Sequence, residues 1–414
     1  MRFLPHRTAT ITEPPPPTSG RRWPTTAEAG PHPMPRPRPE PGADVRRRPG
    51  TDPTTGADPQ AVERRRDRTI DRLRGLCLVS MTVGHLAFAG SAPSPLDKLV
   101  HLMLWVSGAS GFVFLSGVSV ALYCRSRGGP GPATRRWVAA RGAVLAVLAV
   151  ALNLIGIGWF ALVGRPAWYP AGEPDLVSLA TGRWWLPSTD VLVLYAVFLV
   201  VLAAAGSWPA RAPRRTLALS ATVYGAATLL PDVGPTAHPA DRPVWDLPAW
   251  QLVFFWGLVA GLHWRAVTGW LSAHRRAVLA AGGIGLTTIL GLRLALRLAQ
   301  AGLDPFGLTD FEAGPLGWLL DKQSLGPLRL LLIALVGPAA YLLAQRRLPL
   351  DRLLTGAGAR SLRVYVASTL LMFVWPLVTS GPLLITELEL MAGTALVLTV
   401  GLAPPVGRGR PWSF

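Results

Sequence analysis

The stretch RGLCLVSMTVGH, residues 74–85, places an arginine and a histidine eleven residues apart in an otherwise apolar run. On a helix rising about 1.5 Å per residue they lie roughly 16 Å apart. An ionisable side chain inside a membrane segment is expensive, so each of the two is a functional candidate. Arg74, near the start of the run, has two readings: a snorkelling side chain that reaches lipid phosphate, or a planar fork held for a phosphate or carboxylate. His85 is either a hydrogen-bonded core residue or a neutral imidazole able to accept a proton.

The elements that must position them follow from composition. The chain has 414 residues, 50% of them hydrophobic and only 15% charged, and the apolar residues come in long runs rather than amphipathic faces. A hydrocarbon core of ~30 Å needs about 20 such residues per helical pass. The expected fold is therefore all-α, a polytopic membrane protein of about ten helices. The spans fall near 71–90, 100–124, 137–164, 188–206, 216–231, 249–264, 277–298, 327–344, 361–379 and 383–403. Alternating sides puts 15 arginines in one set of loops and the C-terminus, against five Lys or Arg (Lys98, Arg165, Arg183, Arg242, Lys322) in the other. By the positive-inside rule the arginine-rich side, with both termini, is cytoplasmic.

Residues 1–68 hold 15 of the 40 prolines and few large apolar residues, so this tail is expected to be disordered and cytoplasmic. It has no hydrophobic core of a signal peptide. Residues 69–403 form the membrane domain and 404–414 a short cytoplasmic tail. The net charge of +18 is spread over tail and loops, without interleaved aromatic and basic patches, which argues against nucleic acid. Cys77 and Cys124 read as buried thiols, with no metal site or bound cofactor expected. The longer outer loops carry Trp and Tyr, as in AWYPAGEPD and RPVWDLPAW. These read as an interfacial belt or as a sugar-stacking surface. No P-loop, G-x-G-x-x-G, H-E-x-x-H or G-x-S-x-G signature occurs, so the membrane domain itself must carry the function.

The run TIDRLRGLCLVSMTVGH, followed by GFVFLSG (111–117), resembles the opening of the OpgC family, which is related to the acyltransferase-3 group. The resemblance continues in order through PSTDVLVLY (187–195), WDLPAWQLVFFWG (245–257), DKQSLGPLRLL (321–331) and GARSLRVY (358–365). It implies a membrane O-acyltransferase of the bacterial cytoplasmic membrane. An acyl-CoA, succinyl-CoA for instance, would serve as co-substrate, and a saccharide of the envelope as acceptor. It places Arg74 with Asp71 at the donor end and His85 at the acceptor end, with Asp190 as the carboxylate orienting His85. Asp246, Gln251, Asp321, Lys322 and Arg329 then join as acceptor-binding residues on the same side. Ser116 and Gly117 fit helix packing. The family's histidine is commonly preceded by an aspartate, and Gly84 stands in that place here. Either Asp190 supplies the carboxylate, or this chain departs from the family in substrate or activity. A competing reading is an exporter of an anionic metabolite, with Arg74, Arg293, Arg297 and Arg329 along its path. A third is a scaffold recruiting partners through its Pro-rich tail.

Overall fold

In hydrocarbon a chain must satisfy its backbone hydrogen bonds within its own segment, and the long apolar runs accordingly fold as helices. The computed structural model describes residues 67–89, 108–166, 169–170, 179, 184–229, 246–300, 319, 321, 325–346, 350–378 and 383–402. Residues 1–66 of the expected N-terminal tail, the C-terminal tail, residues 100–107 of the second expected span, Lys98 and Lys322 lie outside the described residues.

The helices are α1 (Arg68–Ala89), α2 (Gly108–Ser126), α3 (Pro132–Val163), α4 (Asp190–Ala205), α5 (Trp208–Arg211), α6 (Pro213–Leu229) and α7 (Leu247–Leu262). They continue with α8 (Trp264–Ala273), α9 (Arg275–Gln300), α10 (Pro327–Ala344), α11 (Asp351–Ala359), α12 (Ser361–Val378) and α13 (Leu383–Thr399). No strand occurs among the described residues. Each of the ten expected spans falls on one of these helices.

Length and composition single out fewer of them. Among the described residues four helices, α2, α3, α9 and α10, are long and apolar enough to cross a bilayer unaided. A fifth span results if α7 and α8 count as one segment broken by their 86° bend. The difference has physical causes. α1 holds Arg68, Asp71, Arg72 and Arg74 in its first two turns, and α4 has 16 residues. Short apolar helices fit a bilayer only where neighbours or local thinning accommodate the mismatch. On α3, by contrast, Val147, Leu154, Ile155 and Leu162 are exposed, an apolar surface suited to lipid.

α1 is the hub, packing against α2, α10, α11, α12 and α13. Its first turn is pinned from several sides. Asp67 caps it, accepting from Thr69 N at 2.9 Å, and also takes the Tyr341 hydroxyl at 3.2 Å and Trp264 Nε1 at 3.3 Å. Arg72 pairs with Asp351 of α11 and donates to the Ala344 carbonyl at 2.7 Å. Glycines allow the tightest crossings. A Cβ on Gly75 or Gly358 would overlap the carbonyl of Leu354 or Asp71, which fixes α11 on α1. At Gly117 and Gly257 it would overlap the carbonyls of Phe254 and Phe114, which joins α2 to α7. The packing role expected of Gly117 is therefore what the structure has.

The aromatic belt is corrected in part. Trp184, Trp185 and Trp250 are buried within the protein, where their large apolar area contributes to helix packing. Trp270 on α8 is exposed.

Candidate functional site

Arg74 and His85 share α1, and eleven residues at about 100° each return to nearly the same face. That face looks towards α2 and α12. Arg74 is 3% exposed. Its guanidinium donates to the hydroxyl of Ser361, the first residue of α12, and lies 5.5 Å over the Phe112 ring of α2. A cation over an aromatic face is stabilised by the ring quadrupole.

A second arginine reaches the same place. Arg141 of α3, 4% exposed, lies in the electrostatic field of Arg74. Both line a cavity of about 40 Å³ together with Ser116, Tyr195, Ser361 and Tyr365. That is room for about three water-sized groups. The Tyr195 hydroxyl donates to the Phe112 carbonyl and is joined to Ser116 Oγ, each at 2.7 Å. Ser116, expected to serve helix packing, also brings a hydroxyl to the cavity. Two guanidiniums among hydroxyls give this cavity hydrogen-bond donors of the geometry that carboxylates and phosphates match.

Aromatic rings connect this cavity to the other end of α1. Phe112 stacks on Tyr365 with ring centres 6.5 Å apart at 12°, and His85 meets Tyr365 edge-on at 6.4 Å and 82°. The Tyr365 hydroxyl donates to the carbonyl of Ser188 in the turn before α4. Asp190 opens α4, is 7% exposed, accepts from Val191 N at 2.8 Å and bears electrostatically on Tyr365. Tyr365 therefore stands between His85 and the turn that leads into Asp190.

The remaining expected residues occupy other elements. Asp71 is buried one turn before Arg74, where α11 crosses α1. Asp246 caps α7 and bears electrostatically on Tyr224 of α6, whose hydroxyl donates to the Leu325 carbonyl at 2.8 Å. Gln251 is engaged in joining α6 to α7. Its amide donates to the Ser220 carbonyl at 2.7 Å and to the Pro248 carbonyl at 3.0 Å, and accepts from the Ser220 hydroxyl at 2.6 Å. Arg329 on α10 is buried in the field of Asp321. Arg293 and Arg297 lie on α9, and their side chains fall outside the described residues.

Sequence reasoning missed Arg141, Tyr195, Tyr365, Ser361 and Ser188 as site residues. Signals were present. Arg141 interrupts the third apolar run, and the two tyrosines close the blocks PSTDVLVLY and GARSLRVY.

A helical membrane protein with charged and hydroxylated side chains drawn to one seam between α1, α3, α4 and α12 is the class these features define. The OpgC protein family matches residues 66–404, and the chain belongs to that family. Membership implies a transferase role in glucan modification. Neither a search of curated proteins nor one of solved structures gave a match.

Proposed function

We propose that the chain is an integral-membrane O-acyltransferase that moves an acyl group from a cytoplasmic acyl-CoA to a hydroxyl of an envelope saccharide. One observation carries the reading: the buried Arg74 and Arg141 line a single cavity, and Phe112 and Tyr365 link that cavity to His85 and to the Ser188 carbonyl, two residues before Asp190. Paired guanidiniums match the anionic groups of an acyl-CoA donor. Family membership makes succinyl-CoA the favoured donor. The arginine-rich loops put the Arg74 end of α1 towards the cytoplasm and the His85 end towards the acceptor.

In the transfer, His85 takes the proton of the acceptor hydroxyl. The acceptor oxygen attacks the thioester carbonyl, the ester C–O bond forms and the C–S bond breaks. CoA leaves as the thiol, taking from His85 the proton that His85 had removed from the acceptor. Asp190, at the far side of Tyr365, stabilises the protonated His85. This assigns the carboxylate to the first residue of α4, so that Gly84 need not supply it.

The test is His85→Ala, with acyl content of envelope glycans measured beside uptake and efflux of labelled succinate. The expected result is loss of acylation at normal protein level and unchanged flux. Intact acylation with altered flux would favour the exporter and sink the enzyme. Asp190→Asn is expected to resemble His85→Ala, and full activity would remove Asp190 from the mechanism.

A further inference from the structure

The turn before α4 is fixed at both ends. Leu186 N donates to Asn153 Oδ1 of α3 at 2.8 Å, and Thr189 returns to the Leu186 carbonyl through its N–H at 3.0 Å and its hydroxyl at 2.7 Å. Ser188 sits inside this turn with φ +74°, a left-handed conformation that strains an L side chain and suits glycine. It is 3% exposed. Its carbonyl is taken by Tyr365, while its own Oγ has no hydrogen-bond partner among the described residues. Backbone strain and an unsatisfied buried hydroxyl are separate penalties. Both fall on one residue, two before Asp190 and one hydrogen bond from the ring that His85 touches.

Other buried hydroxyls are close along the chain. Thr82 lies one turn before His85 on α1, and Ser368 and Thr369 lie one turn beyond Tyr365 on α12. They too make no hydrogen bond among the described residues. A helical hydroxyl, however, can rotate onto the carbonyl four residues back. Ser188, in a left-handed turn, has no helical carbonyl behind it, so its hydroxyl is suited to a partner from outside the fold.

We propose that Ser188 is an acceptor-binding residue whose hydroxyl bonds a hydroxyl or ring oxygen of a polyhydroxyl acceptor presented to His85. This rests on the acyl-transfer reading above.

Ser188→Gly separates fold from function, since it removes both the strain and the hydroxyl. The assay is transfer from succinyl-CoA to a linear glucan oligosaccharide by the full-length protein in proteoliposomes, with thermal melting alongside. Ser188→Gly should melt no lower than wild type, lose about tenfold in kcat/KM for the glucan, as for one lost hydrogen bond, and keep its KM for succinyl-CoA. Ser188→Ala should lose activity equally while retaining the strain. Wild-type kcat/KM in Ser188→Gly overturns the role of Ser188, and so does a marked fall in its melting temperature, which would make the side chain structural. His85→Ala is run in parallel. If it abolishes transfer while Ser188→Gly does not, only the Ser188 proposal fails. If His85→Ala transfers normally, or wild type does not transfer at all, both fail.

Discussion

Arginines occupy two settings in this protein. Arg125 and Arg135, at the ends of α2 and α3 that face each other, are exposed and finish neighbouring helices. Arg125 donates to the Leu262 carbonyl of α7 at 3.1 Å, and Arg135 Nε donates to the Ala203 carbonyl of α4 at 3.0 Å. A cation at a helix C-terminus is favourable and needs little desolvation. Arg135 even has its place cleared, because Gly206, with φ +61°, lies beneath it. Arg74 and Arg141 are the opposite case, with both guanidiniums almost fully buried around one cavity. Burying a cation costs several kcal/mol that apolar packing of the same volume would not incur. The same side chain closes helix ends at the rim and lines a cavity within. Burial, not residue type, distinguishes the two.

The largest expected effect tests the buried pair. Arg141→Met should lower transfer by ~100-fold or more, the scale of losing a charged, hydrogen-bonded contact of about 3 kcal/mol. Its melting temperature should nonetheless stay at or above that of wild type, since an apolar residue of similar volume replaces a buried charge. Arg141→Lys should recover little, because an ammonium cannot reproduce the planar fork. An active Arg141→Met protein would reduce both settings to topology and remove the anion site. Next in size is Tyr365→Phe, which keeps the ring against His85 and Phe112 but leaves the Ser188 carbonyl without its donor. Activity is expected to fall about tenfold and stability by roughly 1 kcal/mol. Wild-type rates in this variant would mean that the hydroxyl does not link α12 to the turn before α4.

What the sequence revealed follows the same division. The apolar runs located the helices, though among the described residues length and hydropathy alone qualify only four of them, or five with the bent pair, to cross a bilayer. Arg74 and His85 stood out because charge in such a run is costly. Arg141 was hidden by its place in a basic stretch, RRWVAARG, where Arg135 and Arg136 made it look like one more loop residue. Only packing separates it from them, ten residues into α3 and turned towards Arg74. Tyr195 and Tyr365 were hidden because a tyrosine in a membrane helix is common, and its hydroxyl partners come from other helices. Ser188 was out of reach, since a left-handed backbone at a serine has no sequence signature. Gln251 is the converse: its block suggested acceptor binding, and the fold commits its amide to Ser220.

Gln251→Ala sharpens that point. Removing the clasp between α6 and α7 should lower stability by about 1–2 kcal/mol, because the Ser220 hydroxyl and carbonyl both lose a partner. The KM for a glucan oligosaccharide should not move. A raised KM at unchanged melting temperature would return Gln251 to the acceptor site and shift that site towards α6 and α7.

The smallest effect completes the contrast. Arg135→Ala removes the guanidinium from the end of α4, six residues before Arg141 on the same helix. The Ala203 carbonyl it releases is at an exposed helix end, where water replaces the lost donor, so stability should change by no more than about 0.5 kcal/mol. Transfer from succinyl-CoA should stay within twofold of wild type. The comparison is strongest because both variants delete one arginine from α3 and change the net charge equally. A general loss of positive potential would affect them alike and fade with added salt, whereas a buried anion site responds only to Arg141. If Arg135→Ala slows transfer as much as Arg141→Met, and salt removes the difference from wild type, long-range charge attraction of the donor would replace the two-arginine cavity as the basis of recognition.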